Sequence, residues 1–128
     1  MPRFRETIDG VEYTLDVFGA TKILSIRGDG FVAERVYIGE SLTHEEMVSA
    51  GRIEIRKYRA GKLHADRSPA VYVRAGTFSG EYWFKQGIRH RADGPAIMET
   101  NNGVKYAVYY NNGQRGKIES ARAKTTEK

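Results

Sequence analysis

The chain has 128 residues, no cysteine and a net charge of +5, which excludes disulfide staples and thiolate metal sites and points to a reducing compartment. The length suits one domain with its own core, and no apolar run approaches the ~20 residues of a membrane-spanning helix. The opening MPRFRETIDG lacks the apolar centre of a signal peptide, so a cytoplasmic protein is expected.

In chain order, residues 1–51 read as hairpins. Phe4 to Ile8 and Val11 to Val17 flank Asp9-Gly10, a dipeptide suited to a tight turn because both residues tolerate positive φ. Tyr13, Leu15 and Val17 alternate with Glu12, Thr14 and Asp16, the period of a strand with one buried face. Lys22 to Ile26 and Phe31 to Ile38 flank a longer glycine turn, Arg27-Gly28-Asp29-Gly30. Its Arg-Gly-Asp also spells an integrin-type tripeptide, which a cytoplasmic chain would not use. In SLTHEEMVSAG, Thr43 and Glu46 form a capping box and Gly51 a stop. One short helix is predicted there, with Leu42 and Met47 facing the sheet.

The second half repeats itself. Tyr58, Gly61, His64, Pro69 and Ala70 recur, each a fixed twenty-six positions later, as Phe84, Gly87, His90, Pro95 and Ala96. A third copy begins at Tyr110 and Gly113, then stops. A fixed period of this size signals stacked supersecondary units, a binding scaffold more than an enzyme cavity. Each unit reads as glycine turn, basic stretch with His, turn before Pro, strand, second turn, strand. The strands are Ala70 to Arg74, Thr77 to Phe84, Ala96 to Thr100 and Val104 to Tyr110, with Pro69 and Pro95 at strand starts, where a missing N–H costs least. Residues 118–128 are polar and unpatterned, a predicted disordered tail. Three segments follow: 1–51 hairpins plus helix, 52–117 repeat sheet, 118–128 tail.

Charge follows the same division. Residues 1–51 carry 5 Lys/Arg and 9 Asp/Glu, residues 52–117 carry 13 and 5, and residues 118–128 carry 3 and 2. A half with an excess of eight positive charges suggests an anionic partner.

YRAGKLHADRSPAV and FKQGIRHRADGPAI resemble MORN-type repeats, in the variant running aromatic-x-x-Gly-Lys-x-His-Arg-x-Asp-Gly-Pro-Ala. Gly87, His90, Arg91, Asp93, Gly94, Pro95 and Ala96 fill that pattern, whereas the first copy has Arg67 and Ser68 at the Asp-Gly positions and the third has Gly116 where His would stand. The resemblance covers residues 58–117; residues 1–51 resemble nothing identified. It implies mainly β architecture: antiparallel hairpins stacked into an elongated, twisted sheet. It also implies protein or phospholipid-headgroup contacts, no catalytic residues, and a source among phage, viral and bacterial proteins.

The candidate sites are weighed accordingly. His64 and His90, with no cysteine and no HExxH spacing, are a poor metal set and better read as imidazoles bonded to the next turn's backbone. Asp93 before Gly94 is turn chemistry. No nucleophile–base pair, phosphate loop or paired carboxylates stand out, so no catalytic residue, metal or cofactor is expected. Phe78, Tyr82 and Phe84 align with Val104, Val108 and Tyr110 as one face, and Trp83 and Tyr109 fall on the other. Trp83 and Tyr109 with Arg59, Lys62, Arg74, Lys85, Arg89, Arg91, Lys105 and Arg115 form the predicted binding set, since Trp, Tyr and Arg dominate protein-binding hot spots. The alternative is that the N-terminal hairpins cover that face. The expected function is a non-enzymatic protein-binding module, in the phage or mobile-element reading an inhibitor docking on a host protein or defence complex. Nucleic-acid binding through the same aromatic and basic surface is second, and anionic lipid headgroups third. The sheet edges predict a homodimer or an edge covered by residues 1–51.

Overall fold

The computed structural model describes residues 2–122. It is all β. The strands are β1 (Arg3–Ile8), β2 (Val11–Phe18), β3 (Thr21–Gly28), β4 (Phe31–Ile38), β5 (Ser41–Ser49), β6 (Arg52–Arg59), β7 (Lys62–Leu63), β8 (Val71–Ala75), β9 (Phe78–Tyr82), β10 (Phe84–Lys85), β11 (Ile88–Arg89), β12 (Ile97–Asn101), β13 (Val104–Asn111) and β14 (Gln114–Arg122). Twelve form one antiparallel sheet in the order β1-β2-β3-β4-β5-β6-β8-β9-β12-β13-β14, with β7 beside β6; β10 and β11 pair separately.

Two-residue turns make this meander, because they fix register without slack. Those at one end are Asp9-Gly10, Asp29-Gly30, Ala50-Gly51, Gly76-Thr77 and Asn102-Gly103; at the other they are Gly19-Ala20, Gly39-Glu40, Ala60-Gly61, Gln86-Gly87 and Asn112-Gly113. At both ends the spacing lengthens from twenty or twenty-one positions in the first half to twenty-six in the second. Ala60-Gly61, Gln86-Gly87 and Asn112-Gly113 share one geometry, φ 51° and 78°, 52° and 82°, 50° and 85°. Both central residues are left-handed, which glycine adopts freely and asparagine tolerates.

The short helix predicted in residues 43–50 is instead strand β5, hydrogen-bonded to β4 on one side and β6 on the other. A helix this short is marginal alone, and a two-sided strand satisfies its backbone along its length. The predicted cap, Thr43, is the extra residue of a bulge opposite Val36 and Tyr37, and its hydroxyl donates to the Val36 carbonyl at 3.1 Å. Residues 118–122, expected in a disordered tail, belong to β14 and pair with β13; residues 123–128 lie outside the described residues.

Residues 2–51 do not cover a face of the repeat sheet. They extend it in its own plane, with Val48 opposite Ile53 across the predicted boundary. The outer strands are therefore β1 and β14. Ile26 and Ala33 are cross-strand neighbours and buried, as are Ile97 and Val108, on the face that also carries Val73. A charged seam crosses that face where the halves meet. Arg35 donates to Glu45 at 2.9 Å, and Tyr58 donates to Glu45 at 3.2 Å. Burial pushes the Glu54 carboxyl up, but hydrogen bonds from Arg52 and Arg56 outweigh it and hold Glu54 below the usual range.

Candidate binding site

Between β7 and β8 the chain leaves the sheet and returns to the same rung. The His64 N–H donates to the Lys57 carbonyl, and the Lys57 N–H donates to the Ala70 carbonyl. Residues 64–69 are thus an excursion inserted into a strand whose register is otherwise unbroken. Between β11 and β12 the same occurs at residues 90–95: His90 N–H to Trp83 carbonyl, Trp83 N–H to Ala96 carbonyl. These insertions account for the longer turn spacing of the second half.

Each excursion is tied to the unit that follows. The Gln86 N–H donates to His64 Nδ1 at 2.9 Å, and the Asn112 N–H donates to His90 Nδ1 at 2.9 Å. The Gly87 N–H reaches the Leu63 carbonyl at 2.7 Å, and the Gly113 N–H reaches the Arg89 carbonyl at 2.8 Å. A backbone N–H can only donate, so Nδ1 is the acceptor and the neutral ring carries its hydrogen on Nε2.

The two excursions differ in what meets that Nε2. His64, which is buried, donates to Asp66 at 2.9 Å, and Arg59 donates to the other oxygen of Asp66 at 2.8 Å. The hydrogen bond from His64, and then that from Arg59, holds the Asp66 carboxyl below its usual range. The counterparts in the next unit are His90, Lys85 and Ala92. The donors are kept and the carboxylate is replaced by a methyl group.

Loop anchoring differs too. Lys57 donates to Ser68 at 2.9 Å in the first unit. In the second, the counterparts Trp83 and Gly94 hold the Arg91 guanidinium: it lies 3.9 Å from the Trp83 ring centre, donates to Asp93 and to the Pro95 carbonyl at 3.2 Å each, and would meet a Cβ on residue 94 at 2.9 Å. A side chain at residue 94 would push the flexible end of Arg91 away from this position.

The predicted binding set is spread over distinct places. Arg74 and Lys105 are exposed on one sheet face, with Trp83 and Tyr109 partly buried on the same side. Lys62, Lys85 and Arg115 are exposed beside the stacked turns, as is Arg59 in its pair with Asp66. Arg89 is on the opposite face, 5.4–6.0 Å from the ring centres of Tyr82, Phe84 and Tyr110. Tyr82 donates to Glu99 at 2.5 Å, and burial followed by this bond pushes its phenol well above the usual range. Tyr109 donates to Glu119 at 3.1 Å and lies under Lys117. Among the described residues Lys62, Arg74, Lys85, Arg89, Lys105 and Arg115 have no carboxylate within 4.0 Å, whereas Arg59 and Arg91 do.

Two grooves flank the second excursion. One, about 280 Å³, is lined by Asp66, Trp83, Lys85, His90, Arg91 and Ala92 among others. The second, about 570 Å³, is its counterpart one unit on, lined by Arg91, Ala92, Tyr109, Asn111 and Gly116. It is wider because Gly116 stands in place of His90 and the chain runs on as β14 without a third excursion. The His64–Asp66–Arg59 clamp was missed in the sequence, although its signal is there: His-Ala-Asp in one copy against His-Arg-Ala in the next. Comparison of the chain with family models, curated proteins and solved structures finds no match.

Proposed function

We propose that the chain is a non-enzymatic protein-binding module whose repeat half engages an acidic partner surface. The observation that carries this reading is a single-layer sheet that leaves large apolar side chains of the repeat half in solvent, among them Ile53, Ile88, Met98, Tyr106 and Ile118. Tyr106 and Ile118 lie on adjacent strands of one face, and contiguous exposed apolar area marks an interaction surface. The basic side chains without carboxylate partners supply the electrostatic preference for an acidic partner, acting chiefly on the association rate and its salt dependence.

The same backbone bonds recur at residues 57, 64 and 70 and at residues 83, 90 and 96. This recurrence favours the stacked-hairpin, MORN-like description of residues 58–117. That resemblance is the sole support for a phage or mobile-element inhibitor acting on a host protein or defence complex.

The test is affinity capture from native host extract with and without nuclease. Capture should survive nuclease and fall when Arg74 and Lys105 are changed to Glu in a folded variant. Loss of all partners on nuclease treatment would move the reading to nucleic acid. Binding by the Arg74→Glu/Lys105→Glu variant equal to that of the parent protein, together with a flat salt response, would contradict the proposal.

A further inference from the structure

We infer that the groove of the second excursion is a carboxylate-binding site that takes an Asp or Glu side chain of the protein partner. This rests on the protein-binding reading above and names the chemistry it would use. The first unit supplies the template. There His64 Nε2 and Arg59 close on the two oxygens of Asp66, a carboxylate from the same chain. The second unit repeats the donors as His90 Nε2 and Lys85 and places Ala92 at the carboxylate position.

The His90 proton is aimed by the backbone. Asn112 N–H donates to Nδ1 at 2.9 Å, which leaves Nε2–H as the outward donor. Neither His90 Nε2 nor Lys85 Nζ has a hydrogen-bond or ion-pair partner among the described residues. Trp83 lines the same groove, and among the described residues its buried Nε1–H has no acceptor. Asp93, the sole carboxylate within residues 90–95, is turned to Arg91.

A carboxylate fits better than a phosphate. The template ligand is a carboxylate held by two donors, and Asp66 and Asp93 on the groove wall repel a dianion more than a monoanion.

Trp83 is the single tryptophan of the chain, so its indole N–H gives one resolvable proton signal within the groove. The probe is acetyl-Gly-Asp-Gly-amide, titrated into the full chain, with the Asn peptide and inorganic phosphate as parallel arms. The expected result is a saturable shift of the indole signal with the Asp peptide and none with the Asn peptide. Lys85→Ala should weaken binding about tenfold, the worth of one charge-assisted bond. Ala92→Asp supplies the carboxylate from within, as Asp66 does. It should keep the fold, hold or raise thermal stability, and abolish the response. The assignment is overturned by no saturable response to the Asp peptide, by an equal response to the Asn peptide, by an undiminished response in a folded Ala92→Asp variant, or by tighter binding of phosphate. A normal peptide response without nuclease-resistant partner capture would sink the protein-module reading alone; capture without a peptide response would sink this site alone.

Discussion

Residues 2–51 and residues 52–122 share one sheet and two-residue turns, yet only the second half carries excursions from its strands. In the first half each strand runs from one turn to the next without an excursion, interrupted only by the one-residue bulge at Thr43, from Asp9-Gly10 through to Ala50-Gly51. In the second, residues 64–69 and 90–95 step out of the strand, and the chain rejoins it opposite the same partner residue. Because the register resumes unchanged, the added cost is essentially that of closing a short loop. The excursion then does two things a flat strand cannot. It places a histidine over the next turn, and it raises polar side chains to form grooves between units. Scaffold and chemistry are thus separable within one meander.

The largest effect that would sharpen this contrast is at His64. His64→Ala should destabilise the protein by about 2–3 kcal/mol in denaturant titrations, because it strands the Gln86 N–H and removes a buried side chain. His90→Ala should cost about 1 kcal/mol, since the equivalent side chain is more exposed and has no Asp partner. Equal losses would break the distinction between the two excursions. In the flat half, Thr43→Ala removes one hydroxyl bond to the Val36 carbonyl and should cost about 1 kcal/mol or less.

Acid gives a smaller, signed test. Asp66 and Glu54 have folded-state pKa values held below their ordinary ones. Their contribution is therefore fully present above the unfolded-state pKa and is lost as pH falls through the lower, folded value. Unfolding midpoints should drop as pH is taken below about 4, and Asp66→Asn should flatten that dependence. A parallel pH profile for the variant would mean that the His64–Asp66–Arg59 clamp does not form in solution. Smallest of all, Arg74→Glu/Lys105→Glu should shift stability by no more than about 0.5 kcal/mol, as exposed positions do, while changing the salt dependence of partner binding.

Much of the fold was legible because local rules and global structure agree. Asp9-Gly10 and the alternation of Tyr13, Leu15 and Val17 are read from sequence and lie in the expected hairpin. The Gly61, Gly87 and Gly113 turns are equivalent in φ. The Thr43–Glu46 capping box misled because it is a local signal, and pairing of β5 on both sides overrode it. Ser120 and Ala121 looked like tail because an edge strand needs no apolar face to be held by its neighbour. The shorter rhythm of the first half was hidden because Gly19, Gly39 and the surrounding strands share turn spacing but no side-chain motif. At the site, the histidines' bonds to the next turn follow from repetition. The internal engagement of Arg91 and Trp83 does not, because it depends on how the loop folds back to offer Asp93 and the Pro95 carbonyl to Arg91.

The central claim, that the excursions are insertions into a common two-strand unit, is tested most directly by deleting residues 90–95 and joining Arg89 to Ala96. Arg89 pairs with Phe84, and Ala96 bonds to Trp83 beside it, so the joined strand continues in register. The account predicts a protein with an all-β circular dichroism spectrum and a single cooperative unfolding transition, in which amides of β9 and β13 stay protected from hydrogen exchange while the carboxylate response of the second unit is gone. A chain that fails to fold, or that loses protection across β9, β12 and β13, would contradict it.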